Sequence, residues 1–112
     1  MSDHVIAKQV ARVKALAAVC RQLEPHAGLA EADRLGLKVC AEILEEAVQR
    51  LELEEEFSSP QVEHLKEPSK ELFAKADELS HSAAPAQIAK WWRALEPAAQ
   101  AYARAVHDLP HR

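Results

Sequence analysis

The sequence contains no threonine and no asparagine, and it has only two glycines. Valine and isoleucine together account for 11 of its 112 residues. Strands are rich in β-branched residues, and tight hairpin turns favour Asn-Gly and other glycine-containing pairs. The shortage of both groups excludes an all-β fold. Because 112 residues are one domain's worth of chain, we predict a single helical domain over residues 1–112.

Long apolar segments are absent as well. No charge-free apolar run approaches the roughly 20 residues that a membrane-spanning helix needs. The start, Met1-Ser2-Asp3-His4, lacks the basic and then apolar pattern of a signal peptide. Cys20 and Cys40 are predicted to lie too far apart in a helical hairpin to form a disulfide, and both occupy apolar positions typical of free core thiols. We therefore expect a cytoplasmic protein that does not contact membranes.

Apolar residues recur with a helical period in four segments. The first covers Asp3–Glu24 and the second about Leu29–Glu56, separated by the helix-breaking Pro25 and Gly28. The third begins near Ser58, where Gln61 completes a capping box, and its apolar stripe continues to Ala83. The fourth begins at Pro85 and its stripe continues to Leu109. The pattern predicts four helices.

Short connections between helices favour antiparallel neighbours, so we predict an up-down-up-down four-helix bundle. Pro68 and Pro97 lie inside the third and fourth segments and predict a kink in each helix. Gly36 lies inside the second segment, where we expect a point of close helix packing. The second helix is expected to direct nine residues inward: Leu29, Leu35, Val39, Cys40, Ile43, Leu44, Ala47, Val48 and Leu51.

Charge is divided unevenly among the four segments. Residues 1–25 and 85–112 each carry four basic and two acidic groups, whereas residues 26–57 carry three basic and nine acidic groups. If helices one and four are neighbours, the bundle has a basic side that suits a charge-complementary protein partner. The formal net charge of −4 argues against nucleic acid as that partner.

Two adjacent tryptophans, Trp91 and Trp92, point about 100° apart on a helix and cannot share one narrow seam. We expect Trp92 in the core and Trp91 at the flank, partly exposed beside cationic groups, which is typical of interface hot spots. The predicted partner-binding residues are Trp91, Arg93, Lys90, Arg104, Lys8 and Arg12.

The six histidines are expected at the two ends of the bundle. His4, His64, His107 and His111 belong to one end, and His26 and His81 to the other. Mixed histidine and carboxylate ligands can bind a cation, so His4, His64 and His107 are weak metal candidates. The bundle interior, with Tyr102, is an alternative place for a small ligand. No cofactor is predicted.

Two enzyme patterns are incomplete. His64 is placed like the histidine of a phosphotransfer domain, but Glu67 stands where such domains have lysine. The six residues from Arg21 to His26 resemble the Arg-x4-His spacing of HEPN-type ribonucleases, but Pro25 takes His26 off the helix that carries Arg21. We therefore expect a protein that is not an enzyme.

Two hypotheses of function follow from the sequence. The first is a small adaptor, regulator or inhibitor that binds another protein through a helical face, with a second copy of the chain as a further candidate partner. The alternative is a bundle that binds a metal or a small ligand at the histidine-rich end or in its interior.

Overall fold

A computed structural model describes residues 2–54, 56–80 and 82–110, with side chains from His4 onward. It contains four helices: α1 (Ser2–Leu23), α2 (Glu31–Glu52), α3 (Ser59–Ala76) and α4 (Pro85–His107). The described ranges contain no strand, and the fold measures 46 × 20 × 18 Å. The all-α prediction with four helices is confirmed. His81 and His111 lie outside the described residues, so their predicted positions are not addressed.

The predicted start signals operate at α3. The Ser58 hydroxyl accepts a hydrogen bond from the Gln61 backbone N–H at 3.3 Å, and the Ser58 N–H donates to Gln61 Oε1 at 2.9 Å. This confirms the capping box. Helix α4 begins in a related way, because the Gln87 side chain accepts from the Ala84 N–H at 2.8 Å. Each interaction satisfies a backbone donor that a helix start leaves without a partner.

The second, third and fourth predicted segments extend past the observed ends of their helices. Helix α2 ends at Glu52 rather than Glu56, α3 ends at Ala76, and α4 ends at His107. The carboxylates that follow Glu52 oppose the helix dipole, so continuing α2 through them is unfavourable. Leu53, directly after the helix, is 83% exposed and contributes little burial to offset that cost.

The order in which the helices pack differs from the expectation. Helix α1 packs on α2, α2 on α4 and α4 on α3, whereas α1 and α3 contact each other sparsely. Helices α1 and α4 are therefore not close neighbours, and the predicted basic side made by these two helices is wrong. Helix α4 packs on both α2 and α3, because apolar side chains cover two of its faces.

The core confirms most of the predicted stripe but corrects α2. Gly36 is the close-packing point that the sequence predicts, because a Cβ atom there would lie 2.5 Å from the Trp92 ring. Leu35 and Val39, predicted to point inward, are 53% and 41% exposed. Their positions lie beyond the edge at which α2 meets α4, so the inward stripe of α2 is narrower than expected.

Pro68 and Pro97 each lie within a continuous helix. Proline removes one backbone donor, which leaves a carbonyl in the preceding turn without its helical partner. In α3 that carbonyl belongs to His64, and the Ser69 hydroxyl donates at 2.9 Å to a different carbonyl, that of Lys66. Kinks at the two prolines stay a prediction.

Candidate functional site

The structure exchanges the expected roles of the two tryptophans. Trp91 is 5% exposed, and its indole N–H donates to the Lys75 carbonyl at 3.0 Å and the Ala76 carbonyl at 3.2 Å. These carbonyls belong to the last turn of α3, where they also accept from the backbone N–H groups of Glu78 and Leu79 in the segment that follows. Trp91 therefore joins α4 to the end of α3, and its predicted place at an exposed flank is wrong.

Trp92 points instead toward α2 and is partly exposed. Its ring lies against Gly36, and its indole N–H donates to Asp33 Oδ1 at 3.0 Å. The Arg93 guanidinium lies 5.7 Å from the Trp92 ring centre and 3.4 Å from the same Asp33 oxygen. Asp33 is thus a buried carboxylate with two donors, which is the usual way to stabilise such a group.

The predicted basic residues do not form one surface. All five cations, Lys8, Arg12, Lys90, Arg93 and Arg104, are exposed. Three of them lie on α4 and two on α1, and these helices are separated by α2 on one side and α3 on the other. The structure therefore does not bring Arg93 and Arg104 together with Lys8 and Arg12 as a common face.

The sparse contact between α1 and α3 leaves a groove of about 630 Å³, which was not predicted from the sequence. We call it the α1/α3 groove. Its floor contains the buried core residues Leu16, Ile88 and Trp91. Its walls are partly buried apolar side chains from α1, from α3 and from the segment between α3 and α4: Val19, Leu23, Phe73, Ala76, Leu79 and Ala83.

One charged pair spans the groove. The Arg12 guanidinium lies 4.2 Å from the Phe73 ring centre and makes an ion pair of 3.1 Å with Asp77. Both charged side chains are more than half exposed, so the pair contributes only a few tenths of a kcal/mol. It connects α1 to α3 without closing the groove, because apolar walls continue past it toward His26 and Ser82.

The cations near the groove lie mostly beyond the end at which Arg12 meets Phe73 and Asp77, rather than along the groove itself. On α1, Lys8 precedes Arg12 by one turn, and on α3, Lys66 and Lys70 precede Phe73 on the same side of the helix. The carboxylate of Glu63 lies 3.8 Å from Lys66. Within the described ranges no ion pair forms at Lys8 or Lys70, so these two cations beyond the Arg12 end of the groove are available to a partner.

The described residues of the histidine-rich end, which leave out His111, are not arranged as a metal site. His4, His64 and His107 are all exposed. Among the described residues, no group of three or more His, Cys, Asp or Glu side chains is arranged to hold a metal ion. His26 lies in the connection after α1, off the helix that carries Arg21. The structure therefore does not bring these two residues onto one helix, as a ribonuclease-like pair would need.

Both cysteines are buried and free, as the sequence predicts. Burial raises the pKa of each thiol from 9.0 to about 12, with a smaller contribution from Cys40 at Cys20 and from Glu96 at Cys40. A thiol with a pKa near 12 carries almost no thiolate at neutral pH, so neither is a nucleophile in the folded state.

Because the two thiols have raised pKa values, the free energy of unfolding should fall as the pH rises above about 9. The folded-state pKa exceeds the unfolded value near 9, so the native protein keeps protons that the unfolded chain releases between about pH 9 and pH 12. Stability that is fully present below pH 9 then falls by about 1 kcal/mol per pH unit for each thiol. Urea unfolding at pH 8 and pH 10.5 should show a smaller drop for Cys20→Ala than for wild type. An equal drop would contradict the assignment.

In the part of the chain that the structure describes, no helix combines the length and the apolar character needed to cross a membrane.

Comparison of the chain with protein-family models, with curated proteins and with solved structures produced no match in any of the three searches. The chemistry of the surface is therefore the basis on which a function is inferred.

Proposed function

We propose that this protein is a small non-enzymatic interaction module that binds an amphipathic helix of a partner protein in the α1/α3 groove. The observation that carries the proposal is the open apolar groove itself, with Val19 and Leu23 on one wall and Phe73 and Ala76 on the other. Helix-in-groove recognition uses apolar side chains of a partner helix at positions i, i+3, i+4 and i+7, inserted into a cleft of this kind.

The bundle order supports this reading. We propose the up-down-up-down order with kinks at Pro68 and Pro97. In support, two ion pairs join α1 to α2 in reverse order, Lys14 with Glu52 and Arg21 with Glu45. In such a bundle, α1 and α3 are parallel. A partner helix would pack in the gap between them as a fifth helix.

The groove edges indicate the chemistry of the partner. Arg12 lies at one end of the apolar walls beside Asp77, and Lys8, Lys66 and Lys70 lie beyond that end, with Glu63 as the nearby carboxylate named above. A helix whose apolar stripe is flanked by glutamate or aspartate complements this pattern. Edge charges of this type steer association and select the partner more than they add affinity.

A synthetic peptide of 18 residues, with leucines at the groove-binding spacing and flanking glutamates, tests the proposal. We expect binding with a Kd of roughly 1–100 μM, and at least tenfold weaker binding for a peptide with lysines in place of the glutamates. Val19→Glu should weaken the acidic peptide at least tenfold, because it places a carboxylate in the groove wall.

Ala11→Glu is the matched control, since it adds the same charge to an exposed position of α1 that does not line the groove. Circular dichroism must first show that both variants keep the wild-type helix content. Equal binding of the two peptides, or equal affinity of Val19→Glu and wild type, would reject the groove as the site.

A small apolar ligand is the second candidate occupant, because 630 Å³ falls within the roughly 300–1,000 Å³ of ligand pockets. Native mass spectrometry of untagged protein isolated at low salt discriminates the two. An added mass that organic extraction removes, and that Val19→Glu lacks, would favour the ligand. A bare chain mass that still binds the acidic peptide would favour the partner helix.

A further inference from the structure

Positive charge is concentrated past one end of the α1/α3 groove. At this end the Arg12 guanidinium lies 4.2 Å from the Phe73 ring centre. Past it, Lys8 precedes Arg12 by one turn of α1, and Lys70 and Lys66 precede Phe73 by about one and two turns of α3. All three lysines are exposed. A partner helix longer than the groove therefore meets these three cations.

The carboxylates on this part of α3 balance the lysines only in part. Glu63 pairs with Lys66 at 3.8 Å. Glu67 and Glu71 each directly follow a lysine of α3, so each lies about 100° farther around the helix from Phe73. The other two lysines make no ion pair within the described ranges. The surface past this end therefore keeps an excess of positive charge.

Apolar side chains lie among these cations. Val5 is 49% exposed and precedes Lys8 by one turn on the same side of α1. On α3, the partly buried Val62 precedes Lys66 in the same way. A partner helix that continues past the groove therefore meets apolar contacts as well as charge.

The opposite end of the groove is polar but has no such group of charges. The described residues that line it include Gln22, His26, Ser80 and Ser82. Arg34 donates a hydrogen bond to the His26 carbonyl at 3.3 Å and does not line the groove. The two ends of the groove therefore differ in charge.

From this difference we infer that the partner helix carries its acidic residues at one end, past the Arg12 end of the groove, and not along its whole apolar stripe. The inference rests on the helix-binding site proposed above. On α1 the groove runs from Arg12 to Leu23, about 16 Å of helix, so about three turns of the partner carry the apolar stripe. The next one or two turns, which lie over the lysines, carry glutamate or aspartate.

Charge reversal tests the contact with the acidic end. The probe is an 18-residue peptide with leucines in about three turns and glutamates in the remaining turns. Lys8→Glu and Lys70→Glu should each raise its Kd at least about fivefold, because each places like charges side by side. Lys38→Glu is the matched control, since Lys38 is exposed on α2 and does not line the groove. An equal effect of Lys38→Glu and Lys70→Glu overturns the inference.

Nitroxide labels test the placement of the acidic end. Two peptides are compared, with the glutamates at the N-terminal or the C-terminal end, because either chain direction satisfies the charges. In the tighter binder, a label at the acidic end should broaden the amide signals of Lys8 and Lys70, and a label at the apolar end those of Gln22 and Ala83. The reverse pattern overturns the inference and leaves the proposed site intact. If neither peptide binds in the groove, the proposed site and the inference are both wrong.

Discussion

Replacing Trp91 with alanine should lower the free energy of unfolding by about 3–5 kcal/mol, as expected for a large aromatic residue removed from a core. The side chain is 5% exposed and forms the floor of the α1/α3 groove. Its loss also leaves the Lys75 and Ala76 carbonyls without the indole donor. Because whole domains are stable by about 5–15 kcal/mol, the variant should be close to the limit of folding.

Urea unfolding followed by circular dichroism measures this effect. Trp91→Phe is the matched control, because it keeps most of the apolar volume and removes the N–H, and it should cost about 1–2 kcal/mol. Trp92→Ala should cost less than Trp91→Ala, since Trp92 is partly exposed. A free energy of unfolding for Trp91→Ala close to that of wild type would contradict the burial of Trp91 and its place in the floor of the groove.

The second large effect concerns Gly36, where helix propensity and packing have opposite signs. Alanine favours a helix interior by about 1 kcal/mol over glycine, so propensity alone predicts stabilisation by Gly36→Ala. The added Cβ, however, would lie 2.5 Å from three ring atoms of Trp92. Relief requires Trp92 to move and to weaken its hydrogen bond to Asp33. We expect a net loss of about 2 kcal/mol, as for other overpacked sites.

A double-mutant cycle with Trp92→Ala isolates the clash. With the ring removed, the three atoms nearest to that Cβ are gone, and Gly36→Ala should stabilise the protein by about 0.5–1 kcal/mol. The effect of one substitution therefore changes sign with the background. The close packing of α2 on α4 would be disproved by the same destabilisation in both backgrounds.

Local sequence signals predicted local structure well. The capping box at Ser58 and Gln61 depends on residues three positions apart, and it is present as expected. Gly36 was recognised from its place inside a helical segment, and the burial of the two cysteines from their positions in apolar stripes. These features depend on the helical period, and the absence of a disulfide depends in addition only on the short connection that makes helices one and two neighbours.

The tryptophan assignment could not be made from the period. Positions 91 and 92 both continue an alternating three-and-four spacing from Ile88, so the stripe is satisfied by either residue. The choice depends on whether α4 has one neighbour or two. Because α4 lies between α2 and α3, both tryptophans are used, one against each helix.

The α1/α3 groove was missed for a related reason. Val19, Phe73 and Leu79 are apolar residues that a complete bundle would bury, so their sequence gives no sign that α1 and α3 meet sparsely. Leu35 and Val39 were expected inside for the same reason. The number of apolar residues was an available signal. The apolar stripes of the four helices are wider than one thin core requires, which indicates that some of these side chains lie outside the core.

Paramagnetic relaxation enhancement gives the most direct test of the proposed helix-binding site. The acidic 18-residue peptide would carry a nitroxide label, and amide signals of the ¹⁵N-labelled protein would be recorded with the label oxidised and reduced. Binding in the α1/α3 groove predicts selective broadening near Val19, Phe73 and Ala83, with Leu35 and Val39 unaffected. Broadening centred on Leu35 and Val39, or spread evenly over the chain, would contradict the account.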